Sequence, residues 1–290
     1  MGELISLGTA LCWTITVISF EYAGKKVGSL SVNMIRLWFG FIFIALFLFA
    51  TTGMLVPLDA TPHIWSWMLL SGFIGFVIGD LFLFQAFVDV GGRISLLVYS
   101  LVPPLTAVIS FFYLNETLST LDIIGMTITI SAILFVVFLR QDHSSHSHRI
   151  RGVIFAAIGG IAQAFGLIFS KVGMGDYNAF AATQIRIIAA IIGFTIILTI
   201  RGKWPNIKKA FGQKSAMKFI ILGSIFGPFL GVSSSLLALQ YTEIGVATTI
   251  SQMNVIFIIP FSIVLFKEKV TIYEILGSIV AFIGVALLFL

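Results

Sequence analysis

Ten stretches of this chain run for about twenty residues with almost no charge, near 4–22, 31–52, 65–87, 94–114, 122–140, 152–172, 179–200, 217–240, 246–266 and 272–290. No other feature restricts the fold as strongly, because about 20 apolar residues is the length an α-helix needs to cross a bilayer. The runs are continuous rather than alternating, which excludes a transmembrane β-barrel. Little chain remains for a soluble domain. Composition agrees: 59% of residues are hydrophobic and 10% charged, against about 45–50% and about 25% in soluble proteins. The first run carries Glu3 where a signal peptide carries positive charge, and no clean cleavage site follows. It reads as a first transmembrane helix. The expected class is an all-α integral membrane protein.

The longest polar stretch, RQDHSSHSHRIR at 140–151, separates five apolar runs from five others. Its His143, His146 and His148 could suggest a metal, but histidines in a Ser-rich segment read as a solvated linker. Either side of it the chain repeats itself. NETLSTLDIIG at 115–125 matches KEKVTIYEILG at 267–277. A shift of 150 places Gly2 on Gly152 and Arg36 on Arg186; a shift of 152 places Gly75 on Gly227, Gly79 on Gly231, Glu116 on Glu268 and Gly125 on Gly277. The expected organisation is a first repeat at 1–140, a polar linker at 141–151 and a second repeat at 152–290.

An odd number of helices per copy forces the second copy to enter the membrane from the opposite side. The ten transmembrane helices therefore form two inverted five-helix repeats. In such architectures a site lies near mid-membrane, where the repeats meet. Basic residues fall almost entirely in the odd-numbered loops, among them Lys25, Lys26, Arg93, Arg151 and the run from Arg201 to Lys218. By the positive-inside rule those loops are cytoplasmic and both termini lie outside. The net charge of +5 is accounted for in the same way, with no nucleic-acid partner implied. The single cysteine, Cys12, offers neither a disulfide framework nor a metal site.

Arg36 and Arg186 near the start of each second helix, SLVPPLTAVISFFYLNETLSTLDIIG at 100–125 and FSIVLFKEKVTIYEILGSIVAFIGVALL at 261–288 together resemble the EamA-type transporters of the drug/metabolite transporter superfamily. The resemblance covers essentially the whole chain. It implies a multi-pass protein of the cell membrane, in bacteria the inner membrane, that exports amino acids or other small metabolites, either with protons as coupling ion or as a facilitator. No cofactor is implied.

Charged side chains inside a membrane cost about 2.5–3.5 kcal/mol each on insertion scales, so the internal ones are informative. Asp80, in GFIGFVIGDLFLFQAF, is a candidate for proton coupling; its structural alternative is pairing with an arginine or capping a broken helix beside Gly79. Its counterpart in the second copy is Val232. Arg36 and Arg186 are expected towards opposite faces, as gate charges at the two mouths or as arginines snorkelling to the interface. Glu116, Glu268, Asp122 and Glu274 sit at helix ends and read as punctuation. Candidate substrate contacts are Trp13, Gln85, Tyr99 and Ser100 in the first copy and Gln163, Ser234, Gln252 and Asn254 in the second. Many amide and hydroxyl groups beside few charges suit a neutral or zwitterionic small molecule. The competing class, a membrane-embedded enzyme acting on a lipid or prenyl substrate, would need clustered acids or histidines near an interface. There is no phosphate-binding loop for ATP, and an inverted duplication argues against a passive channel, which would be expected to show oligomeric symmetry or rings of charge.

Overall fold

The computed structural model describes residues 1–113, 119–139, 146–242, 244–266 and 270–287. It is all-helical. The first half contains α1 (Gly2–Val27), α2 (Ser29–Thr52), α3 (Pro62–Asp89), α4 (Gly91–Tyr99), α5 (Val102–Tyr113) and α6 (Thr120–Leu139). The second contains α7 (His146–Met174), α8 (Ala179–Ile200), α9 (Trp204–Gly212), α10 (Lys214–Tyr241), α11 (Ile244–Ser251), α12 (Asn254–Phe266) and α13 (Ile272–Leu287). Six of these helices are long and apolar enough to cross a membrane, from α1, α2, α3, α7, α8 and α10. Helix ends follow local chemistry. Gly28, at φ +83°, turns α1 into α2, while Thr61 and Asn178 cap α3 and α8 by accepting backbone N–H bonds. Thr271 and Glu274 exchange bonds of 3.1 and 3.3 Å in a capping box that starts α13.

Three departures from the sequence reading bear on function. The fourth and ninth runs, expected as single helices, are each broken, after Tyr99 and after Ser251. The helix expected from 152 begins at His146, so the end of the expected linker is helical, and α9 is an additional short helix. Finally, α3 and α10 each widen into a π-helical turn, Phe73–Gly79 and Ile225–Gly231, offset by the same 152 residues as the repeat. His143, Glu116 and Glu268 lie outside the described residues, as do the side chains of His146, His148 and Asp122.

The repeats are packed through each other rather than side by side. α1 lies against α10, and its counterpart α7 lies against α3; α2 crosses α8, and α6 pairs with α13. Glycines set these crossings. A Cβ on Gly72 would collide with the backbone carbonyl of Arg186, one on Gly166 would stand 3.0 Å from Gly75 Cα, and one on Gly277 would strike Val136. The apolar residues between the crossings, such as Phe20, Leu37, Phe194 and Ile187, are fully buried. Outward faces carry exposed Leu, Ile and Phe, as expected where lipid is the solvent.

Candidate functional site

The helix interruptions converge on one cavity of about 120 Å³, counted as the space that centres of water molecules can occupy. Its wall follows the repeat. Trp13 and Gln163 occupy equivalent positions, as do Arg36 and Arg186, Leu83 and Ser235, Phe87 and Leu239, Leu96 and Thr248, and Tyr99 and Ser251. The cavity thus sits on the pseudo-twofold axis between the two copies. At the helix breaks the copies touch directly: Gln252 Nε2 donates to the carbonyl oxygen of Tyr99 at 3.3 Å, so one break helps satisfy a backbone group freed by the other.

Asp80 opens the α-helical part of α3 directly after the π-turn and is 4% exposed. Arg36 Nη2 donates to its Oδ2, and Gln163 Nε2 donates to its Oδ1 at 2.9 Å and to the carbonyl oxygen of Gly75 at 3.0 Å. Asn33 Nδ2 donates to the carbonyl oxygen of Asp80 at 3.2 Å, and Arg36 Nε donates to Asn33 Oδ1 at 3.1 Å. The Arg36 guanidinium also lies 4.4 Å from the centre of the Phe84 ring. Each charge of this buried pair therefore has further polar or aromatic partners, which is what makes such a pair tolerable away from water.

Arg186 is buried as deeply, at 3% exposure, yet its surroundings differ. Its guanidinium carbon lies 4.5 Å from the centre of the Phe76 ring, but Nε is buried without a hydrogen-bond acceptor. Among the described residues it has no acid within 4.0 Å, although Asp80 also acts on it electrostatically; the position in α10 that corresponds to Asp80 is Val232. The two arginines approach a common aromatic ring, with Arg36 5.8 Å from the centre of Phe76. This corrects the expectation that they stand at opposite mouths. Each lies seven residues into its helix, from Ser29 and Ala179 respectively, and faces inwards rather than snorkelling outwards.

Of the other candidates, Trp13, Tyr99, Gln163, Gln252 and Asn254 line the cavity together with Asp80 and the arginines. Three do not. Gln85 faces the end of α3, accepting from Ser29 Oγ at 2.7 Å and donating to Asp89 Oδ1 at 2.9 Å. Ser100 Oγ turns back to the carbonyl oxygen of Leu96 at 3.3 Å. Ser234 lies one residue from the cavity face, which Ser235 occupies instead. Residues not anticipated include Phe76 and Phe84, which carry the arginines, and Ser251, which the alignment of Tyr99 across the repeat would have indicated.

Away from the cavity, Arg93 at the start of α4 and Glu274 at the start of α13 form a buried pair of 3.0 Å that ties the two copies together. Glu274 is thus both a helix cap and an inter-repeat anchor.

Comparison with known families agrees with this architecture. The model of the EamA-like transporter family matches residues 1–138 and again 150–290. The chain belongs to the EamA-like transporter family and is a multi-pass membrane protein. An uncharacterized transporter of Clostridium kluyveri (strain ATCC 8527 / DSM 555 / NBRC 12016 / NCIMB 10680 / K1) is 27% identical over 139 residues, 48% of this chain and 44% of that one. The matched segment thus spans less than half the length of that relative. A solved crystal structure superposes with a TM-score of 0.67 at 14% identity, covering 99% of this chain and 95% of the other, and so shares the fold.

Proposed function

We propose that the chain is a secondary carrier that exports small metabolites, amino acids or similar zwitterionic compounds in particular, by alternating access between the repeats at 1–140 and 152–290. The observation that carries this reading is the cavity on the pseudo-twofold axis, bounded in both copies by a broken helix, by Phe76 of the first π-turn and by Val232 directly after the second. Irregular backbone inside a membrane protein is tolerated where it lines a cavity, and discontinuous helices frame the sites of many carriers. Export rests on the resemblance to exporters. The favoured topology places both termini outside. Its support is that the basic loops share one end of the molecule, where Lys26 Nζ reaches Ser215 Oγ at 3.1 Å and Arg151 binds Asp89 at 2.8 Å.

The contacts of Asp80 favour a fixed counter-ion for Arg36 over a carrier of protons. The test is flux of labelled amino acids in proteoliposomes, with and without a pH gradient. The expected result is saturable equilibration that follows the substrate gradient alone. Accumulation that requires the pH gradient would assign Asp80 a coupling proton, and absence of any amino-acid flux would remove the substrate class.

A further inference from the structure

We propose that Arg186 is the substrate's carboxylate anchor and Asn254 the acceptor for its amine, so that the carrier recognises the carboxylate-and-ammonium pair of an apolar α-amino acid. This rests on the carrier reading above and names the chemistry of the same cavity. The lining holds two guanidiniums, Arg36 and Arg186, and one carboxylate, Asp80, which Arg36 engages. The wall therefore carries one guanidinium more than it has carboxylates, and the Nε of Arg186, whose counterpart on Arg36 donates to Asn33, is unused. A buried donor without an acceptor costs about 1–3 kcal/mol, and more when it is charged, so a resting site of this kind is completed by an anion. The planar fork of a guanidinium fits a carboxylate by two parallel bonds.

The second copy also supplies the complementary orphan. Asn254 Oδ1, at the start of α12 and on the cavity wall, is buried without a donor. Both residues line the cavity, so a small turn of each side chain would offer an unused donor and an unused acceptor to one zwitterion. Leu83, Leu167, Val232 and Leu239 give the remaining wall an apolar character suited to an aliphatic side chain. Both groups come from the second copy. In the first, Asp80 fills the place that the ligand carboxylate takes in the second.

The test uses three ligands with one carbon skeleton: leucine, leucinamide without the carboxylate, and 4-methylpentanoate without the amine. Purified full-length protein is titrated with each, and Kd and the shift in Tm are read. Leucine is expected to bind tightest, and leucinamide about ten- to a hundredfold more weakly, the range for loss of a charged hydrogen-bond pair. Asn254→Ala is expected to reduce leucine to the affinity of 4-methylpentanoate. Arg186→Gln is expected to reduce leucine to the level of leucinamide and not to weaken leucinamide, which has no carboxylate to lose. Equal binding of leucine and leucinamide by the unmodified protein overturns the assignment without any variant having to fold. So does binding of none of the three, or a folded Arg186→Gln protein with undiminished affinity for leucine. Binding of the two carboxylates without flux of any amino acid in proteoliposomes would uphold the carboxylate anchor and remove the amino-acid carrier reading.

Discussion

The two arginine half-sites descend from one motif and have come to differ in their partners, chiefly Asp80 against Val232 and Asn33 against Thr183. In the first, Arg36 meets Asp80, and the pair is held by Gln163, Asn33 and Phe84. In the second, Arg186 rests on Phe76, and Val232 stands where an acid would be. The scaffold around both is shared: equivalent π-turns, equivalent helix breaks and close glycine crossings. The duplication thus kept the frame that can rearrange and altered the charge within it. One half-site is closed on itself and stiffens the core, while the other is left open to a ligand.

The largest effect is expected where the closed half-site is opened. Asp80→Asn leaves the Arg36 guanidinium buried without its counter-ion, a change of about 3–5 kcal/mol when one partner of a buried pair is removed. Both Tm in detergent and flux should fall sharply, and a variant with unmodified Tm would show that the pair does not support the fold. Closing the open half-site is the converse. Val232→Asp places a carboxylate at the counterpart of Asp80, and loss of leucine flux with no loss of Tm is expected; flux equal to that of the unmodified protein would break the mirror relationship. A smaller effect should come from the crossing beside Arg186. Gly72→Ala pushes a methyl into the α8 backbone at Arg186 and should cost about 1–3 kcal/mol, as overpacking does. Gly8→Ala, at an exposed helical position with open space around it, should instead be neutral or stabilising by about 0.5–1 kcal/mol. Thermal melting of the two variants checks the contrast.

Much of this frame was legible in the sequence. Apolar runs gave the helices, and Gly75, Gly79, Gly227 and Gly231 marked the duplicated segments that became π-turns. The break in the fourth run had a signal in Pro103 and Pro104, since proline supplies no N–H to continue a helix. The equivalent break before Asn254 has no proline, so only transfer across the repeat could have located it. Gln85, Ser100 and Ser234 are polar like the residues of the site, yet none of them lines it. In a helix that is apolar on nearly all sides, polarity does not say which face meets the cavity. That the arginines meet is not legible in the sequence for a geometric reason. Seven residues of helix rise only about 10 Å, so from both faces of a core about 30 Å thick two long side chains can meet in the middle. Sequence position gave depth along each helix, whereas the crossing of α2 with α8 brought the two side chains together.

The most direct measurement applies one substitution to both half-sites. Arg36→Lys and Arg186→Lys each keep the charge and lose the planar fork. The account predicts different outcomes: Arg36→Lys lowers Tm, through about 1–3 kcal/mol of lost pairing, and leaves the KM for leucine near that of the unmodified protein. Arg186→Lys leaves Tm in place and raises KM about tenfold or more. If the two variants lose stability alike and bind leucine alike, the half-sites are equivalent and the division of labour described here is wrong.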